Sequence, residues 1–132
     1  MAALPGRRHE TSRGFTMIEM MMVVAILGIL VSIAIPLFNN VTARSRVSKA
    51  QADVKTLATA VSVYAAHVGA LPPDLAALTV TVANSAGVVM GPFMAAAPAP
   101  PTTAWAPYTY VAGPAGTFTV SGTGEGTTVS AP

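Results

Sequence analysis

Residues 20–35 read MMMVVAILGILVSIAI, with Ser32 as the one polar side chain in the run. With its flanks the apolar segment covers residues 15–38. As a helix rising ~1.5 Å per residue it measures ~36 Å. A bilayer's hydrocarbon core is ~30 Å thick, so the segment is long enough to span one. Whatever else the chain does, it must find a non-aqueous home for this helix.

The remainder is one small domain at most, because the chain has 132 residues. Charged residues make up 9%, far below the ~25% of ordinary soluble domains. Their placement is uneven. Arg7, Arg8 and Arg13 against Glu10 give residues 1–14 a net charge of +2. Arg44, Arg46, Lys49 and Lys55 against Glu19, Asp53, Asp74 and Glu125 leave the rest at zero. Without the first 14 residues no basic surface for nucleic acid remains. A basic leader before an apolar span fits an N-terminus held on the cytoplasmic side. The absence of cysteine excludes disulfides and thiolate metal sites.

Four regions follow one another. Residues 1–14 are polar, and Pro5 and Gly6 break any helix there. Residues 15–38 are the apolar half of a long helix, and residues 39–68 continue it as an amphipathic half. There Val47, Ala50, Val54, Leu57, Val61, Tyr64 and Val68 recur at spacings of three and four, a single apolar stripe. Lys49 and Asp53 stand one turn apart and can pair. Gly69 supplies a helix stop, which Pro72 and Pro73 reinforce. An unbroken helix over residues 15–68 would be ~81 Å long, more than a domain of this size can bury by itself. Pro36 removes a backbone hydrogen bond and is expected to kink or loosen the turn before it, with Gly28 as a second weak point.

Residues 69–132 read as loops and short strands. Pro73 and Asp74 open a short helix through Leu75 and Leu78, and residues 79–90 are ambiguous. The proline-rich residues 91–107 should be irregular. Residues 108–111 and 117–121 flank Gly113-Pro114-Ala115-Gly116, a hairpin signal. A turn over residues 122–126 leads to a third strand at 127–130. The expected fold is α+β: a long N-terminal spine helix with a small antiparallel β-sheet packed on its second half.

The stretch RGFTMIEMMMVVAILGILVSIAIP, residues 13–36, resembles the N-terminal signature of type IV prepilins and type II secretion pseudopilins. The motif combines a short charged leader, Gly14 then Phe15, Glu19 four residues later, and an apolar span with a later proline. The helical residues that follow also resemble the family's spine. The resemblance implies that a membrane prepilin peptidase cuts between Gly14 and Phe15 and N-methylates Phe15 with S-adenosylmethionine. Gly14 suits the cut because a residue without a side chain lets a protease approach closely. The chain is a substrate in these steps, not an enzyme.

For Glu19 the resemblance implies pairing with the terminal amine of a neighbouring subunit during filament growth. The local alternative is pairing with its own Phe15 amine and the helix dipole. For Gly28 and Pro36 it implies a segment that melts on assembly; the alternative is a simple kink. Implied partners are filament neighbours, the pilus or type II secretion assembly machinery, the peptidase and inner-membrane lipid. The implied location is the bacterial inner membrane, single-pass with a cytoplasmic N-terminus, then a periplasmic or extracellular filament.

Other candidates carry no chemistry. Met17 and Met20 to Met22 are adaptable apolar filler. His9 and His67 each stand alone, short of the ligands zinc needs. Gly122, Gly124 and Gly126 form GxGxG, but no helix follows to present amides to a phosphate, and a turn is expected instead. No Ser–His–Asp set presents itself. Major pseudopilins often hold calcium through aspartates near the C-terminus. After Asp74 only Glu125 offers a carboxylate, so neither a tight calcium site nor any other cofactor is expected.

The leading expectation is a structural subunit of a type IV pilus or type II secretion pseudopilus. The alternatives are a membrane-anchored binding module that forms no filament, and a secreted module cut after Ser32-Ile33-Ala34.

Overall fold

The computed structural model describes residues 14–132, so the basic leader and His9 lie outside the described residues. One helix, α1, runs Met17–Val68. It is followed by five short strands: β1 Val82–Ala83, β2 Val89–Met90, β3 Thr109–Ala112, β4 Phe118–Gly124 and β5 Thr127–Ala131. The fold is the expected α+β arrangement. Contacts divide the chain at residues 39 and 40. The described part of the first unit is helix with a short lead-in, and the second carries the sheets and the core.

α1 is assigned as helix without a break through Gly28 and Pro36, where the sequence led us to expect a loosened turn. Proline deprives one carbonyl of its donor, but the surrounding hydrogen bonds carry the helix across. The helix ends as expected. Gly69 takes φ 83 and its N–H donates to the Ala65 carbonyl at 2.8 Å. That left-handed conformation costs glycine nothing.

The predicted stripe forms the core. Ala50, Val54, Leu57, Val61 and Tyr64 are buried, and Val47 and Val68 pack at its ends. The stripe meets Leu78, Trp105, Val120 and Val129. Burying an aliphatic side chain of this size is worth about 1.5–3 kcal/mol each, so the three fully covered residues Val54, Leu57 and Val61 dominate the packing.

The larger sheet has the order β3-β4-β5, antiparallel throughout. β4 continues to Gly124, so the turn expected over residues 122–126 shrinks to Glu125 and Gly126. These two residues take φ 51 and 73, the positive values that two-residue hairpins require. Gly122 and Gly124 are instead contact points for rings. A Cβ on Gly124 would sit 2.4 Å from Trp105, and one on Gly122 2.7 Å from Tyr108.

The ambiguous residues 79–90 form the β1–β2 hairpin, with Val82 opposite Met90 and Ala83 opposite Val89. Asn84 closes it, its side-chain oxygen accepting from the N–H groups of Ala86 and Val88 at 3.0 and 2.9 Å. The short helix after Asp74 is one 3-10 turn, Ala76–Thr79, whose Ala77 N–H donates to Asp74 Oδ1 at 2.9 Å. The proline-rich residues are pinned by Phe93 and Met94, whose N–H groups donate to the Leu78 carbonyl, and by a bridge from Trp105 to Gly124.

Candidate functional site

Gly14, Phe15 and Thr16 precede the first turn of α1 and are exposed. The peptide bond between Gly14 and Phe15 therefore lies outside the helix, and among the described residues nothing approaches within 4 Å of where a Gly14 Cβ would stand. Phe15 is 80% exposed.

The first turn begins with a reciprocal cap. The N–H and Oγ1 of Thr16 both donate to Glu19 Oε2 at 2.9 Å, and the Glu19 N–H donates to Thr16 Oγ1 at 3.2 Å. The opening N–H groups of a helix lack partners within it, and a Thr-x-x-Glu box satisfies two of them. The negative charge also faces the positive end of the helix dipole. Thr16 is a functional candidate that the reading above missed, although the Thr-x-x-Glu spacing was visible in the sequence.

Beyond this cap lies an uncovered apolar surface. Every residue from 14 to 41 is exposed, including Met20, Leu27, Ile33 and Phe38. Ser32 hides its polarity by donating to the Ile29 carbonyl at 2.7 Å. Gly28 leaves open space on its face, and Pro36 lies inside the helix. Met20 and Met21 line a shallow apolar depression with Val24 and Ala25, without a polar ligand. Glu19 stands in the first turn, just after the junction, whereas Gly28 and Pro36 lie further along the helix. The arrangement is a surface to be covered, not a cluster of reacting groups.

In the second unit the polar side chains fasten the sheet to the helix. Lys49 Nζ donates to Asp53 Oδ2 and to the Ala99 carbonyl, both at 2.7 Å. Tyr108 donates its hydroxyl to the same Asp53 oxygen at 2.7 Å. Burial, and then the bond to Asp53, push the Tyr108 phenol well above its usual range. Arg46 pairs with Glu125 of the β4–β5 turn at 2.6 Å. His67 packs against Phe93, with its Nε2 3.2 Å from the Val88 carbonyl. Among the described residues no group of three His, Cys, Asp or Glu stands close enough to hold a metal.

Residues 11–35 match the profile described as the prokaryotic N-terminal methylation motif. Residues 38–130 match that of type II secretion system (T2SS) protein G. Curated relatives include a fimbrial protein of Pseudomonas aeruginosa, 51% identical over 39% of this chain and 33% of its own length. The type IV major pilin protein PilA of Myxococcus xanthus is 54% identical over 41% of this chain and 24% of its own. The fimbrial protein EcpC of Eikenella corrodens is 43% identical over 52% of this chain and 44% of its own. The matched segments thus span between about a quarter and under half of these relatives. No solved structure matches the chain.

Proposed function

Because the chain belongs to the family of type II secretion system protein G, carrying the N-terminal methylation motif ahead of that region, we propose that it is a structural subunit of a helical pseudopilus-type filament. The observation that carries this reading is the bare apolar helix surface over residues 15–38, which begins beside the exposed Gly14–Phe15 bond. Hydrophobic stabilisation scales with the area removed from water, so such a surface demands lipid or neighbouring helices.

The same helix meets both demands in turn. As a precursor, residues 15–38 lie in the inner membrane with the basic leader on the cytoplasmic side. A prepilin peptidase then cuts between Gly14 and Phe15 and methylates the new amine. Cutting removes the entire net positive charge of the chain and leaves one cationic terminus beside Glu19. The mature span exchanges lipid for the helices of other copies, and Ala25, Gly28, Ser32 and Ala34 let them approach closely. Gly28 and Pro36 mark the stretch whose helix is cheapest to open on assembly. The four regions at 1–14, 15–38, 39–68 and 69–132 are leader, anchor and filament core, scaffold, and outward-facing domain.

A surface pilus is the second reading, favoured by relatives that are themselves type IV pilins. Both readings predict the same test. Glu19→Ala should leave processing intact and abolish filaments in the sheared fraction. Normal filaments from that variant would refute the role given to Glu19. If the unaltered chain yields processed protein but no sheared filament, it is a membrane-anchored module instead.

A further inference from the structure

The charged side chains of residues 40–132 are mostly matched within the chain. Arg46 is taken by Glu125 and Lys49 by Asp53. Two cations and one acid are left over. The charged side chains of Arg44 and Lys55 make no ion pair or hydrogen bond among the described residues. Asp74 has only a bond from its own loop, the Ala77 N–H on Oδ1.

The two cations share one feature of the surface. α1 and β5 leave a groove between them, with Arg44 at one end beside Thr127 and Lys55 further along beside Ser130. Glu125, the acid at the groove's mouth, is already neutralised by Arg46. The rest of the lining mixes the hydroxyl and amide groups of Gln51, Thr128 and Ser130 with apolar side chains such as Val47 and Ala58. β5 is the edge of its sheet and pairs only with β4. The groove is therefore net cationic, with hydrogen-bonding groups along part of its lining.

The acid is elsewhere, tied to its own turn by the Ala77 N–H. Asp74 is exposed on the turn after α1, beside exposed Pro73, while Pro72 at the foot of that turn is fully buried. A carboxylate on such a fixed knob loses little freedom when it docks. Asp74 cannot serve its own Arg44. At ~1.5 Å per residue Arg44 lies about 36 Å from the end of α1 at Val68. The few residues from Val68 to Asp74 reach at most about 20 Å when fully extended.

We propose that the Asp74 turn of one copy docks in the Arg44–Lys55 groove of the next copy in the filament. Knob and groove are different surfaces, so the contact is heterologous. A contact of that kind does not close an isologous dimer, and where its rotation does not close a ring it propagates into an open helix. The complementary charges fix the register in which copies meet. The proposal rests on the filament reading and names the contact between outward-facing domains that it requires.

The chain has no cysteine, which makes the test direct. Asp74→Cys is combined with Arg44→Cys in one full-length variant and with Lys55→Cys in another, and cells bearing filaments are oxidised. At least one pair should give a ladder of disulfide-linked multimers, while each single variant stays monomeric. Absence of a ladder from both pairs, in cells that still make filaments, would overturn the contact and leave the filament reading standing. Dimers from Asp74→Cys alone would also overturn it, since like would then meet like. In a second arm, Asp74→Lys should lose filaments, and adding Arg44→Glu with Lys55→Glu should restore them. Undiminished filaments from Asp74→Lys would count against the proposal. If the unaltered chain makes no filament, the filament reading fails and takes the contact with it.

Discussion

Glu19 has two claims on its carboxylate. Thr16 holds Oε2 through its N–H and hydroxyl. The amine that a cut before Phe15 would create needs an acid partner, and Oε1 is the oxygen left over. Thr16→Ala should cost the first turn about 0.5–2 kcal/mol of cap stability, seen as faster amide exchange at residues 17–19. Thr16 and Glu19 were legible as a local spacing. Asp53 with Tyr108 was not, because that bond joins residues 55 apart and depends on how the sheet lands on the helix. Tyr108 also carries a pH signature. Its pKa is raised on folding, and so is that of the part-buried Tyr110. Folding disfavours their ionised forms, so stability holds below the ordinary phenol value of ~10 and falls as pH rises above it. The melting temperature of detergent-solubilised protein should therefore fall above pH ~10, and Tyr108→Phe should shrink that fall while lowering the value at neutral pH.

At the scale of elements, the spine helix was the most legible part. Its stripe of Val54, Leu57 and Val61 repeats with the helical period, and the buried residues follow it. Leu57→Ala should cost about 2–5 kcal/mol, measured by denaturant unfolding in detergent. The glycines of β4 were read as a turn because Gly-x-Gly-x-Gly resembles loop punctuation. Only the tertiary structure shows Trp105 and Tyr108 lying across Gly124 and Gly122. Gly124→Ala should accordingly cost about 1–3 kcal/mol by overpacking against Trp105. Pro36 was expected to disturb α1, and in the isolated chain it does not break it. If assembly opens the helix between Gly28 and Pro36, amide exchange there should be faster in filaments than in the membrane-embedded precursor. Pro36→Ala should reduce the difference.

For the whole molecule, the proposed function asks one helix to serve two environments, with processing as the switch between them. The precursor has a net charge of +2, all of it in the residues a cut before Phe15 would remove. The folded second unit neutralises most of its own charge internally and keeps Arg44, Lys55 and Asp74 in reserve for contacts between copies. The apolar segment over residues 15–38 announced itself in the sequence, whereas the groove beside β5 required knowing which strand forms the sheet edge. The central claim is that cleavage before Phe15 turns a membrane anchor into a filament core. Intact-mass and N-terminal analysis of protein sheared from cells tests it most directly. A chain that begins at N-methylated Phe15 is the predicted result; a chain beginning at Met1 or at Ile35 would contradict the account.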